Sequence, residues 1–254
     1  MQLRLTLHYE PLGIVGAICP WNYPLVLAMG KIAPALLTGN CVIAKPSPYT
    51  PYSVLKFVEI VRSVFPAGVL QALHGDADLG PSLCKHSGIQ KISFTGSTAT
   101  GKKIMETASK TLKNITLELG GNSASIVCAD VDIDAVAPQV ALGSFFNSGQ
   151  LCVASKRIYV HEDIYDAFLK RMVNIVKSWK AGFPSTEGVM LGPVQNEMQY
   201  NIVKSVFEDT ERNGYRFALG EDQQLDGSSL LISPAIIDSP PDESVVVQEE
   251  AFGR

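Results

Sequence analysis

Between residues 13 and 119, short apolar runs alternate with longer stretches whose apolar positions recur at helical spacing. Residues 13–18, 41–44, 69–73, 91–94 and 115–119 read as strands, and 25–37, 50–65, 79–85 and 97–112 as helices. Gly39-Asn40 supplies a stop for the first helix, and Pro66-Ala67-Gly68 one for the second. Strands that alternate with helices of this length build βαβ units, so the pattern predicts a doubly wound parallel sheet.

The rhythm changes after Gly120-Gly121. A strand at 125–128 precedes a helix that opens at Asp130 or Asp132 and runs to about Phe146. Residues 157–161 form a further strand and 164–180 a long helix, with Ile164, Phe168, Met172, Ile175 and Trp179 along its apolar face. Residues 181–194 read as a loop, 197–213 as a helix, and 214–241 as short strands among Gly, Asp, Ser and Pro turns. At the other end, residues 1–7 alternate apolar with polar positions like a strand. The chain thus divides into two α/β units, 1–120 and 121–254.

Composition narrows the functional classes. At 254 residues, 46% hydrophobic and 18% charged, the chain has enough apolar material for one large domain or two modest ones. A net charge of −4 with scattered Lys and Arg disfavours nucleic acid and anionic membrane surfaces as partners. The N-terminus lacks the apolar core of a secretory signal, and no apolar run reaches the ~18 residues of a membrane span. Five cysteines, an odd number with no CxxC pair, argue against a disulfide framework and a structural zinc site. The four histidines show no HExxH or i, i+4 spacing, so no metal centre is expected. These features predict a soluble, cytoplasmic protein that acts on small molecules.

Cys152 ends the stretch Asn147-Ser148-Gly149-Gln150-Leu151-Cys152, a glycine-bearing turn beside a long helix. There a thiol can be activated as a nucleophile, whereas Cys19, Cys41, Cys84 and Cys128 sit in or beside apolar runs and read as small buried hydrophobes. Glu118 interrupts the apolar run Ile115-Thr116-Leu117-Glu118-Leu119 and precedes two glycines that allow close approach of a ligand. A carboxylate on a buried strand is either ion-paired or a candidate general base. Asn22, within Pro20-Trp21-Asn22-Tyr23-Pro24, is an oxyanion donor or a turn residue.

Phe94-Thr95-Gly96-Ser97-Thr98-Ala99-Thr100-Gly101 runs from a strand into a helix, which presents free N–H groups to a phosphate or forms a plain Gly-Ser cap. It lacks the full P-loop pattern, because Lys103 stands at the Ser/Thr position. Lys45 ends its strand and either bonds a nucleotide ribose or is solvated.

In this order the motifs resemble the aldehyde dehydrogenase superfamily. The resemblance is carried by Pro20-Trp21-Asn22-Tyr23-Pro24, Gly30-Lys31-Ile32-Ala33-Pro34-Ala35-Leu36, Gly39-Asn40, Lys45-Pro46-Ser47, Phe94-Thr95-Gly96-Ser97, Glu118-Leu119-Gly120-Gly121, Gly149-Gln150-Leu151-Cys152 and Glu249-Glu250-Ala251-Phe252-Gly253. It implies a Rossmann-like, doubly wound dinucleotide-binding domain over 1–120 and an incomplete α/β catalytic domain over 121–254.

By that resemblance, Cys152 is the nucleophile that adds to an aldehyde. Asn22 and the Cys152 amide hold the oxyanion, and Glu118 activates the hydrolytic water. The cofactor is NAD or NADP, with Ile18, Cys19, Pro20, Trp21, Lys45, Ser47, Gly96, Ser97 and Gly101 at the dinucleotide and Glu250 with Phe252 at the nicotinamide ribose. Pro48 stands where family members often carry a glutamate that favours NAD, so the choice of cofactor stays open. Ala124 replaces a frequent proline. Relative to the family the chain is expected to be shortened at both ends, without the elements used for homo-oligomerisation. An alternative expectation is therefore a weakly active or inactive relative with an interaction or regulatory role.

Overall fold

The computed structural model describes residues 3–223, 225, 227 and 229–253. The chain separates into two compact units, with the division after Gly120.

The first unit is a five-stranded sheet of β1 (Ile14–Ile18), β2 (Cys41–Lys45), β3 (Leu70–Ala72), β4 (Lys91–Thr95) and β5 (Asn114–Glu118), in the order β3-β2-β1-β4-β5. Every neighbouring pair is parallel. The connections are α1 (Pro24–Leu37), α2 (Tyr52–Val61), α3 (Leu79–Lys85) and α4 (Thr98–Ser109).

Because side chains alternate along a strand, β1 feeds two cores. Val15, Ala17 and Cys19 pack with Ala28, Ile32 and Ala35 of α1 and with Val54 and Val58 of α2. Ile18 packs with Leu83 and Cys84 of α3, Ile92 and Phe94 of β4, and Ile104 of α4. Helices on both faces of a parallel sheet make the doubly wound architecture that the sequence predicts.

Local chemistry sets the helix ends. Pro24 opens α1, where its missing N–H costs nothing. Beyond its end, Gly39 adopts φ +81° and Asn40 donates to Ala35 O at 3.0 Å while accepting from Gly13 N at 3.0 Å. Ser97 caps α4 by accepting from Thr100 N.

The second unit contains β6 (Ala124–Val127) parallel to β7 (Arg157–Val160), with α5 (Ile133–Phe145) between them in sequence. There follow α6 (Tyr165–Lys177), the short parallel pair β8 (Lys180–Ala181) and β9 (Val189–Leu191), α7 (Glu197–Arg212), the antiparallel pair β10 (Phe217–Leu219) and β11 (Ile236–Ile237), and α8 (Val245–Gln248). Asp132 caps α5, and Asn196 caps α7. Phe168, Met172 and Val176, four residues apart on α6, bury against Val127, Ala137, Ala141 and Phe145.

Some expectations are corrected. The predicted loop at 181–194 contains β9 and the last residue of β8, strands too short and too rich in flanking Gly and Pro to show a period. The predicted strand at 1–7 is absent over residues 3–7, while Met1 and Gln2 lie outside the described residues. Leu3, Leu5 and Leu7 are 95, 90 and 75% exposed, so alternation there meets no partner strand among the described residues. Cys128, expected to be buried, is exposed at the end of β6. Among the described residues, no helix is long and apolar enough to cross a membrane.

Candidate active site

In the first unit the parallel register brings the sequence-predicted residues to one edge of the sheet. Ile18 pairs with Lys45 on one side and Phe94 on the other, and Thr95 pairs with Glu118. The ladder continues one step further, with Cys19 N donating to Lys45 O at 2.9 Å and Gly96 N to Glu118 O at 3.0 Å. Ile18, Cys19, Lys45, Gly96, Ser97 and Glu118 therefore all lie at the carboxyl ends of β1, β2, β4 and β5. Strand order reverses at β1, whose two neighbours belong to opposite halves of the winding. Open α/β sheets bind ligands at such a switch point.

Pro20, Trp21 and Asn22 form the turn from β1 into α1, all half-buried. Thr50 Oγ1 ties this turn to the chain after β2 by donating to Trp21 O at 3.3 Å. Ser47 is buried beside Lys45. Gly96 is needed because a Cβ there would meet the Phe94 ring at 2.5 Å. Gly101 serves packing as well: it is buried a turn into α4, and a Cβ would meet Leu119 at 2.5 Å. Glu118 is exposed, because β5 is an edge strand with an alternating pattern; the inference from a buried carboxylate is corrected accordingly.

Two lysines charge this edge. Lys45 is buried, donates to Pro46 O at 3.3 Å, and has its pKa lowered chiefly by burial, with Cys19 opposing. Lys31 is buried on α1 and donates to Thr95 Oγ1 at 2.5 Å. Burial lowers its pKa, against the influence of Cys19 and Glu118. Burial pushes the Cys19 thiol up to about 11 despite both lysines, which leaves it protonated and unreactive at neutral pH. Sequence reasoning gave Lys31 no role. The available signal was a lysine within the buried stripe Ala28, Lys31, Ile32, Ala35, at helical spacing.

In the second unit Cys152 is half-buried and follows a turn of unusual backbone. Asn147, Ser148 and Gly149 have φ of 52°, 58° and 75°, three consecutive left-handed residues of which only one is glycine. Such a conformation costs about 1–2 kcal/mol per non-glycine residue and persists where its surroundings impose it. Ser148 Oγ donates to Gly192 O at 2.9 Å, and Gln150 Oε1 accepts from Gln195 N at 2.8 Å. Lys156 Nζ donates to Gly149 O. A Cβ on Gly149 would overlap the carbonyl oxygen of Gly253, so the turn and the segment after α8 meet backbone to backbone.

That segment carries the predicted Glu250 and Phe252. Glu250 Oε2 accepts from Gly121 N at 3.2 Å, while Oε1 is buried with no hydrogen-bond partner among the described residues. Burial raises its pKa, against the Gly121 hydrogen bond and the Lys156 charge. Phe252 has φ 50°. Gln199 Nε2 holds the segment by donating to Ala251 O at 2.7 Å. A cavity of about 370 Å³ in this unit is lined by Lys156 and Gly253 but not by Cys152, so its volume is not that of the thiol's site.

Lys156 was not found from sequence. Burial lowers its pKa to about 8, with Glu250 opposing the shift. Between that value and the ordinary 10.5, the unfolded chain binds more protons than the folded one, so stability rises with pH across this window. The stability of the wild-type chain relative to Lys156→Met should therefore increase from pH 7.5 to pH 10 in urea unfolding; a difference that is flat or falls would contradict it.

The parallel sheet with helices on both faces defines the class, a Rossmann-like α/β protein. Comparison with known proteins makes the assignment specific. The model of the aldehyde dehydrogenase family matches residues 2–254, and the chain belongs to that family. It is 52% identical over 245 residues to putative aldehyde dehydrogenase FUS7 of Gibberella moniliformis, an alignment covering 96% of this chain and 51% of that protein. Among solved structures, the aldehyde dehydrogenase of Bacillus cereus in complex with NAD+ superposes with a TM-score of 0.92 at 33% identity, over 97% of this chain and 50% of that one. An Escherichia coli NADP dependent enzyme superposes with a TM-score of 0.91 at 34% identity, over 96% and 51% respectively. The chain thus spans about half the length of the relatives it matches.

Proposed function

We propose that this chain carries the chemistry of an NAD(P)-dependent aldehyde dehydrogenase, oxidising an aldehyde to a carboxylic acid through a thioester on Cys152. The observation that carries the reading is the gathering of Ile18, Cys19, Lys45, Gly96, Ser97 and Glu118 at one edge of a parallel sheet, at its switch point. The residues there fit a dinucleotide: a lysine ends β2, a glycine and a serine precede α4, and the helix N-terminus favours a phosphate. Lys45 and Ser47 would hold the ribose side, Gly96 and Ser97 the phosphates, and Glu250 with Phe252 the nicotinamide ribose. Gly101 contributes through packing.

In this reading the Cys152 thiolate adds to the aldehyde carbonyl. The family resemblance gives the side-chain amide of Asn22 and the backbone N–H of Cys152 the role of donors to the developing oxyanion. When bound, NAD(P)+ supplies the two-electron acceptor for the substrate carbon. Glu118 then takes a proton from the water that attacks the thioester, which returns the cysteine and releases the acid. The exposed position of Glu118 on β5 suits a base that must reach water.

Cofactor binding offers a test separate from turnover. Lys45→Ala should weaken binding of NAD+ or NADP+ by about 10-fold in calorimetric titration, the scale of a lost charged hydrogen bond. Titration of both cofactors into the wild-type chain would also decide between them. Unchanged affinity in the variant would remove Lys45 from the site, and absence of binding of either cofactor would defeat the dehydrogenase reading for this chain.

A further inference from the structure

We propose that Lys156 is a positioning residue that clamps the cysteine-bearing turn to the Glu250–Gly253 segment. The inference rests on Cys152 being the reacting thiol, and it gives a role to a residue outside that reading.

Three observations in the second unit support the clamp. First, the base of Lys156 is fixed: its N–H donates to Ser123 O at 2.9 Å, and Arg157 N donates to the same oxygen at 3.1 Å where β7 joins β6. Secondly, its Nζ donates to the carbonyl of Gly149, the last of the three left-handed residues. A Cβ on Gly149 would stand 3.1 Å from that Nζ and would overlap Gly253 O, so lysine, turn and final segment share one small space. Thirdly, the nearby charge that favours the ammonium form is Glu250, on the same segment as Gly253.

The left-handed backbone explains why a clamp is needed. Asn147 and Ser148 would relax out of this conformation unless the turn were held at both ends. Ser148 and Gln150 are held from the side of Gly192, Pro193 and Gln195. Lys156 holds the peptide that follows Gly149. Through that peptide and Gln150 the constraint reaches Cys152 three residues on. The lysine does not touch the reacting atoms; it sets the path of the chain that carries them.

The test is hydrogen–deuterium exchange over residues 146–152 together with the rate of Cys152 alkylation by iodoacetamide, read by mass spectrometry on the full chain. Lys156→Met should accelerate both by about 10-fold, the scale of a lost charge-assisted hydrogen bond, and leave α6 and α7 at wild-type rates. Lys156→Arg, which restores a charged donor, should return both to within about 3-fold of wild type. A folded Lys156→Met chain with wild-type exchange at 146–152, or an arginine variant as fast as the methionine one, would overturn the clamp. Should Lys156→Met not fold, Glu250→Gln keeps the lysine and removes its counter-charge; a smaller acceleration in the same segment is expected, and none would overturn the proposal. Neither measurement uses cofactor or aldehyde, so failure of the clamp and failure of the dehydrogenase reading are separable.

Discussion

Cys152→Ala should reduce aldehyde-dependent formation of NAD(P)H by about four orders of magnitude or more, the scale seen when a covalent nucleophile is removed. The expectation follows from the route itself, since without the thiol no thioester can form. Cys128→Ala is the control: it removes an exposed thiol at the end of β6 and should leave turnover within about 2-fold of wild type, as surface changes generally do. The assay is cofactor reduction at 340 nm on an aldehyde panel, with binding of the cofactor measured alongside. Full activity in Cys152→Ala would end the covalent mechanism. Cofactor binding without turnover in the wild-type chain would instead favour the alternative of a catalytically weak relative.

The second large effect is structural. Gly149→Ala should destabilise the second unit by about 2–5 kcal/mol, summing the left-handed cost of a Cβ and the strain of an overpacked contact. Gly149 stands at φ +75°, and the new methyl group would press on backbone, the Gly253 carbonyl, which no side-chain rotation can relieve. Gly143→Ala provides the contrast. It lies within α5 with nothing within 4 Å of its added Cβ, so alanine there should be neutral or stabilising by about 0.5–1 kcal/mol. Urea denaturation of both variants decides the matter, and equal midpoints would show that the turn can relax. The same variant should speed exchange around Cys152, because it forces apart the surfaces that Lys156 is proposed to hold together.

The first unit was legible in the sequence because its signals are local and redundant. Each strand is a run of five residues or fewer bounded by turn chemistry, and the helices between them carry stripes such as Ala28, Lys31, Ile32, Ala35. The cysteine turn was legible through its glycine and its motif, as was the start of α5 through Asp132, whereas the Asn196 cap of α7 emerged only from the structure. The pair β8–β9 was not legible, because its two- and three-residue strands lie among Gly182, Pro184, Gly188, Gly192 and Pro193, which read as loop chemistry.

Sequence by itself determined the order of elements between residues 13 and 119, the parallel α/β class of the first unit, and which residue types stand at its strand ends. Tertiary structure alone decided strand register, and hence that Lys45 and Phe94 flank Ile18 while Thr95 flanks Glu118. It decided that Glu118 lies on an edge strand facing solvent, that Lys31 is buried, and that Lys156 reaches back to the carbonyl of Gly149. The physical reason is range. Periodicity and capping are set by neighbours along the chain, whereas burial, charge pairing and a backbone overlap of the kind found between Gly149 and Gly253 arise only when segments distant in sequence are packed together.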